Sequence, residues 1–165
     1  MSGVTVKVIL KDIKKLSTEA LIVGFHEDVR PLKGFAGELD WLFCGSLSAL
    51  ILANKLRGSL GETALLTSRG KVDVQKIFMV GLGPRNGINW TTLRSVARNA
   101  ASSAVGAGVR SAAIEYFPSS DMQHDTGVTA LCRGLNEGAG GRSLDVLLLA
   151  SDTADYEHIA RSLKV

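Results

Sequence analysis

The sequence predicts a three-layer α/β/α domain built on a mostly parallel, mixed sheet, and three observations carry that prediction. Short apolar, β-rich runs alternate along the chain with stretches of helical periodicity. Some runs, such as EALIVGF at 19–25 and KIFMVG at 76–81, are apolar nearly throughout, as strands covered on both faces are. The chain has 165 residues, 45% hydrophobic and 21% charged, enough for one core, and shows no repeat, low-complexity tract or linker. One domain over residues 1–165 is expected.

The elements follow in order. Val4, Val6, Val8 and Leu10 alternate with Thr5, Lys7 and Ile9, predicting a strand with one well-buried side. EALIVGF predicts a central strand, and Pro31, Gly34 and Gly37 give 29–37 loop character. Leu39, Leu42, Phe43, Leu47, Leu50 and Ile51 then keep helical spacing, predicting one helix across 39–51. Its other side carries Trp41, Cys44, Ala49 and Leu52, so burial on two sides is expected, the second against the domain itself or a partner. Strands over 64–67 and 76–81 flank the turn-like Ser68-Arg69-Gly70-Lys71. Asn89 is a good N-cap, with Ile88 and Leu93 placed as a hydrophobic staple. The helix it opens turns Leu93, Val96, Ala97, Ala100, Ala101 and Ala104 inward and Arg94 and Arg98 outward, and ends at Gly106 and Gly108.

A strand over 111–116 is closed by Pro118, and Ser120 and Gln123 have capping-box spacing for the next helix. That helix buries Val128, Leu131, Cys132 and Leu135 and ends in Gly138-Ala139-Gly140-Gly141. A strand over 145–150 and a helix over 154–163 complete the order.

Net charge is +3, from 19 Lys and Arg against 16 acids, with a pI of about 9.0. Nucleic-acid binding needs cations gathered on one face. The only dense group, Lys7, Lys11, Lys14 and Lys15, reads as a solvated edge, which argues against that partner. Cys44 and Cys132 lie in apolar helical stretches and read as small core residues, with neither a CxxC pair nor a disulfide framework. The N-terminal residues show no signal-peptide core, and no run approaches the ~18 apolar residues of a membrane span. A cytoplasmic protein without membrane contact is expected.

The candidate chemistry is sparse. Gly81-Leu82-Gly83-Pro84-Arg85-Asn86-Gly87 follows a strand and precedes a capped helix, where phosphates bind in open α/β sheets. The third glycine of GxGxxG falls one position late, and no Walker lysine follows. The plainer reading is that Gly81 and Gly83 let the backbone turn sharply. His26 sits at the end of the second strand and is either a ligand contact or a surface-loop histidine. His26, His124 and His158 are too scattered for a metal site, HExxH and GxSxG are absent, and no carboxylate constellation suggests two ions. No catalytic residue is assigned.

The blocks PLKGFAGELDWLFCGSLSALI and LRGSLGETALLTSRGKVDVQKIFMVGLG, followed by the capped helix LRSVARNAASSAVGAGV, resemble the N-terminal domain of the cytosolic leucyl aminopeptidases. Ala130-Leu131-Cys132-Arg133-Gly134-Leu135 resembles that family's AEGL helix. The resemblance covers nearly the whole chain and implies a macro-domain-like fold. It also implies that the two divalent ions, zinc or manganese, and the catalytic lysine and arginine belong to a separate domain marked by a segment like NTDAEGR. Ser151-Asp152-Thr153-Ala154-Asp155 shares letters with that segment but not its pattern, so no metal ligand carries over and no cofactor is expected on this chain. Gly138-Ala139-Gly140-Gly141-Arg142 stands where the family usually has an aromatic-containing stretch.

Two functions follow as expectations. One is a non-catalytic binding, assembly or regulatory module, freestanding or part of a longer enzyme, meeting a protein partner or a second copy through Trp41, Cys44 and Leu52; the resemblance implies a role in organising a hexamer. The other is a macro-type binder of ADP-ribose or another nucleotide at the strand ends, through Gly81, Leu82, Gly83, Arg85, Gly87 and His26.

Overall fold

A computed structural model describes residues 3–117 and 123–164. The described residues form strands β1 (Val4–Leu10), β2 (Ala20–Phe25), β3 (Thr63–Thr67), β4 (Lys76–Gly81), β5 (Ser111–Glu115) and β6 (Leu144–Ala150). They also form helices α1 (Gly34–Leu42), α2 (Ser46–Leu52), α3 (Trp90–Gly106), α4 (His124–Ala139) and α5 (Thr153–Leu163), with a short 3-10 turn at Arg85–Gly87. One sheet runs in the order β1-β6-β5-β2-β4-β3, parallel except for β3, which pairs antiparallel with β4.

Strand alternation splits the core in two. Ile22, Phe78, Val80, Ile114, Val146 and Leu148 point to a layer that holds α3, α4 and α5. Leu21, Val23, Ile77, Met79, Ala113 and Leu149 point to the opposite layer, where Phe35, Leu39 and Leu47 of α1 and α2 cover them. Every residue of β2 is buried, as the central run ALIVGF requires. The expected three-layer α/β/α architecture is the observed one. Among the described residues no single helix is long and apolar enough to cross a membrane.

The α3 cap follows the sequence closely. The Asn89 side chain accepts from Thr92 N at 3.0 Å while Thr92 Oγ1 accepts from Asn89 N at 2.8 Å, a reciprocal capping box. Against α3 packs α4, whose Gly134 and Gly138 lie flush on its backbone. A Cβ on Gly134 would stand 2.2 Å from the Arg94 carbonyl oxygen, and one on Gly138 2.1 Å from that of Arg98. These two glycines set the distance between the helices.

Four expectations need correction. The stretch 39–51 is two helices bent by 107°, and the first starts inside the expected loop, at Gly34. Cys44 (φ 55°) and Gly45 (φ 81°) take successive left-handed conformations that end α1. Asp40 then caps α2 by accepting from Ser48 N at 3.0 Å. The second side of this pair is not buried within the domain, which leaves a partner as the remaining expectation; Cys44 is exposed in the corner, not in a core. Finally, β1 has no well-buried side, because it is an edge strand; Val4, Val6 and Val8 are half-buried and Leu10 is exposed. The expected roles of Pro118 and Ser120 lie outside the described residues.

Candidate functional site

Three parallel neighbours, β4, β2 and β5, end together at Gly81, Phe25 and Glu115, and the loops that follow them meet at this edge. Leu82 N donates to Phe25 O at 3.0 Å, Glu27 N to Gly83 O at 3.2 Å, and Arg85 N to Asp28 Oδ1 at 2.9 Å. His26 Nδ1 lies 3.1 Å from Gly83 O, a hydrogen bond in the tautomer that carries the proton on Nδ1. The glycine loop and the His26 loop, far apart in sequence, are therefore laced together.

The loop's N–H groups are bound within the chain. Gly81 N donates to Glu62 O and Gly83 N to Gly58 O, both at 2.8 Å, and Gly87 N to Pro84 O at 2.9 Å. A phosphate cradle needs such groups free and convergent. Glycine is required here for another reason: a Cβ on Gly81 would meet Ser59 O at 1.9 Å, and Gly83 has φ 71°. Arg85 is exposed beside this turn.

Two further side chains pin the rim. The Glu62 carboxylate accepts from Arg57 N at 3.0 Å and Gly58 N at 2.6 Å. The Arg30 guanidinium donates to His26 O and Val29 O, both at 2.7 Å, and to Arg57 O at 3.0 Å.

Between these loops lies a cavity of about 170 Å³. Its walls are apolar, from Phe25, Val29, Leu32, Leu82, Ile88 and Phe117, and Phe117 and Leu82 close over Gly24, where a Cβ would stand 2.6 Å and 2.9 Å from them. Four residues with polar side chains also line it: His26, Lys33, Glu115 and Tyr116. Desolvation pushes the Glu115 carboxyl up to about 7, opposed by a hydrogen bond from Phe35 N (3.4 Å) and by nearby Lys11, and reinforced by Glu38. Lys11 is itself paired, 2.7 Å from Glu38 and 4.2 Å above the Phe35 ring.

Sequence reasoning brought His26 and the glycine loop to this edge but passed over Glu115, Arg30 and Glu62. A lone carboxylate inside the apolar stretch SAAIEYF was the available signal for Glu115. Trp41 and Leu52 lie elsewhere, on the outer side of the bent helix pair, 79% and 84% exposed. Among the described residues no group of three or more His, Cys, Asp or Glu could hold a metal ion. The described side chains thus offer no ligand set for a two-ion centre of the kind that the resemblance places in a separate domain.

The sequence matches the family described as "Cytosol aminopeptidase family, N-terminal domain" over residues 22–140. A probable cytosol aminopeptidase of Geobacter sulfurreducens is 30% identical over 120 residues, covering 72% of this chain and 24% of that protein. One from a Cyanothece species is 34% identical over 100 residues, covering 56% and 20%. The chain thus spans about a quarter or less of the length of these relatives. A tomato leucine aminopeptidase variant superposes with a TM-score of 0.73 at 17% identity, over 98% of this chain and 36% of that one. An Oceanobacillus iheyensis macrodomain variant with ADPR gives 0.71 at 14%, over 96% and 91%. A Trypanosoma brucei macrodomain in complex with ADP gives 0.74 at 12%, over 96% and 68%. At such identities the likeness is one of fold.

Proposed function

Because the chain belongs to the cytosol aminopeptidase family through its N-terminal domain, we propose that it serves as a non-catalytic assembly module, joining protein chains through the outer side of its bent helix pair. The observation that carries this reading is the exposure of Trp41 and Leu52, 79% and 84%, on helices whose inner sides are buried. Covering each such side chain contributes roughly 2–3 kcal/mol to association. The match to the family's N-terminal domain, over about a quarter or less of the relatives' length, supports the non-catalytic part, and the reading places no metal ion on this chain. A cytoplasmic location belongs to it as well, since the matched relatives are described as cytosol aminopeptidases. In sedimentation velocity over a concentration series the chain is expected to self-associate, and Trp41→Ser with Leu52→Ser to shift it to monomer. A wild-type chain that stays monomeric throughout overturns self-association.

The nucleotide alternative has less support. Small-molecule sites for drug-sized ligands span about 300–1,000 Å³, against about 170 Å³ here. A nucleotide would have to displace Phe117 and Leu82, and it would find the glycine-loop N–H groups already bonded. Calorimetric titration with ADP-ribose is expected to give no saturable heat; a one-to-one isotherm would restore the nucleotide reading.

A further inference from the structure

The strand-end cavity has a chemistry of its own. At protein packing density its roughly 170 Å³ accommodates a solute of about ten non-hydrogen atoms or fewer. One carboxyl, Glu115, and one ammonium, Lys33, line it together with an apolar wall. A complementary solute carries the opposite pair of charges on a short apolar body. We propose that this cavity binds a small aliphatic α-amino acid, its ammonium held by Glu115, its carboxylate by Lys33 and its side chain by Phe25, Leu82 and Phe117.

Glu115 suits that role because its chain partners leave it short of cationic charge. Phe35 N–H reaches it only at 3.4 Å, and Lys11, whose charge also acts on it, is engaged by Glu38. Desolvation accordingly favours its neutral form up to about pH 7. A ligand ammonium reverses that preference, so affinity is expected to rise as pH passes upward through this range and the carboxylate forms. The charged and titratable groups around Glu115 are Lys11, Glu38, Lys33, His26 and the neighbouring Tyr116, whose hydroxyl is itself pushed up to about 12, chiefly by desolvation. Lys33 is exposed at the rim, where its charge is screened but free to meet a carboxylate.

The test is titration of L-valine into the full chain, followed by amide chemical shifts and calorimetry at pH 6 and pH 8. Isobutylamine and isobutyrate serve as one-charge controls. Valine is expected to perturb amides around residues 24–33 and 115–117, and to bind more tightly at pH 8. Isobutylamine is expected to bind more weakly, and isobutyrate not at all. Glu115→Gln, whose amide oxygen can still accept from Phe35 N, is expected to lower affinity about tenfold or more and to abolish the pH dependence. Lys33→Met, at an exposed position where folding is not at risk, is expected to lower valine affinity to that of isobutylamine. The proposal is overturned if folded wild-type chain shows no valine-dependent shifts at this edge, or if Glu115→Gln binds valine unchanged. Equal binding of valine and isobutyrate, or of valine and isobutylamine, overturns it too. This surface is distinct from the bent helix pair, so neither outcome bears on assembly.

Discussion

Replacing Gly138 with valine is expected to unfold the domain or cost it well over 3 kcal/mol. Alanine at Gly134 or Gly138 should cost about 1–2 kcal/mol each, the overpacking penalty less the helix-propensity gain. Two effects oppose one another here. Alanine is favoured over glycine inside a helix by about 1 kcal/mol. The added methyl, however, would sit 2.2 Å from Arg94 O and 2.8 Å from the Ala97 Cβ at position 134, or 2.1 Å from Arg98 O and 2.9 Å from the Ala101 Cβ at position 138. Backbone atoms cannot rotate aside, so α4 would have to move off α3 and loosen Leu131 and Leu135 beneath it. Overpacking of this kind costs about 1–3 kcal/mol and sometimes more, which outweighs the propensity gain. The double alanine variant should lose less than the sum, since one displacement relieves both clashes. Urea unfolding midpoints decide the matter: a Gly134→Ala chain more stable than wild type would show that the helices are not in close contact.

Glu115→Gln is expected to raise thermal stability, and to do so in a pH-dependent way. In the folded chain desolvation holds this carboxyl up to about 7, against an ordinary value of 4.5. Between those values the folded state keeps a proton that the unfolded state has released. The contribution of Glu115 to stability is therefore greatest below 4.5, falls as pH rises through that window, and levels off above about 7. The full difference corresponds to about 3 kcal/mol. Glutamine carries no charge to bury, so the variant's advantage should grow from pH 4.5 to 7 and remain constant at pH 8. Melting curves at pH 4.5 and 8 provide the measurement. A gap of the same size at both values would mean that Glu115 is solvated in the folded chain. Together with the amino-acid proposal, the variant should trade ligand affinity for stability.

Much of the fold was legible because its strongest determinants are local or periodic. The unbroken apolar runs at 20–25 and 76–81 marked the centre of the sheet, and Asn89 marked a helix start that the capping box with Thr92 realises. The corner at Cys44-Gly45 was not legible from hydrophobic spacing, since Leu39, Leu42 and Leu47 keep the same period across the bend. Gly45 between Cys44 and Ser46 was the signal, and it was outweighed by the apolar pattern. Edge position was also hidden: Val4 to Leu10 alternates as a half-buried strand should, but only the sheet order shows how little covers it. The candidate site was partly legible, through strand ends and glycines. Glu115 escaped because its meaning depends on Phe35 and Lys11, residues 80 or more positions away in sequence.

The pairing of β1 with β6, Val4 through Leu10 against Leu144 through Ala150, joins the earliest strand to the latest. On a ribosome β1 therefore emerges without its partner and waits until β6 has been made. During that interval its backbone groups have no ladder, and a flat, uncharged segment in such a position would invite pairing with a neighbouring nascent chain. The lysines at 7, 11, 14 and 15 lie within and just after that strand. Charge at these positions disfavours such pairing while the strand lacks its partner, and in the folded chain Lys11 goes on to pair with Glu38. Because this contact joins residues far apart in sequence, closing it carries a large cost in loop entropy, which favours slow and cooperative completion of the sheet.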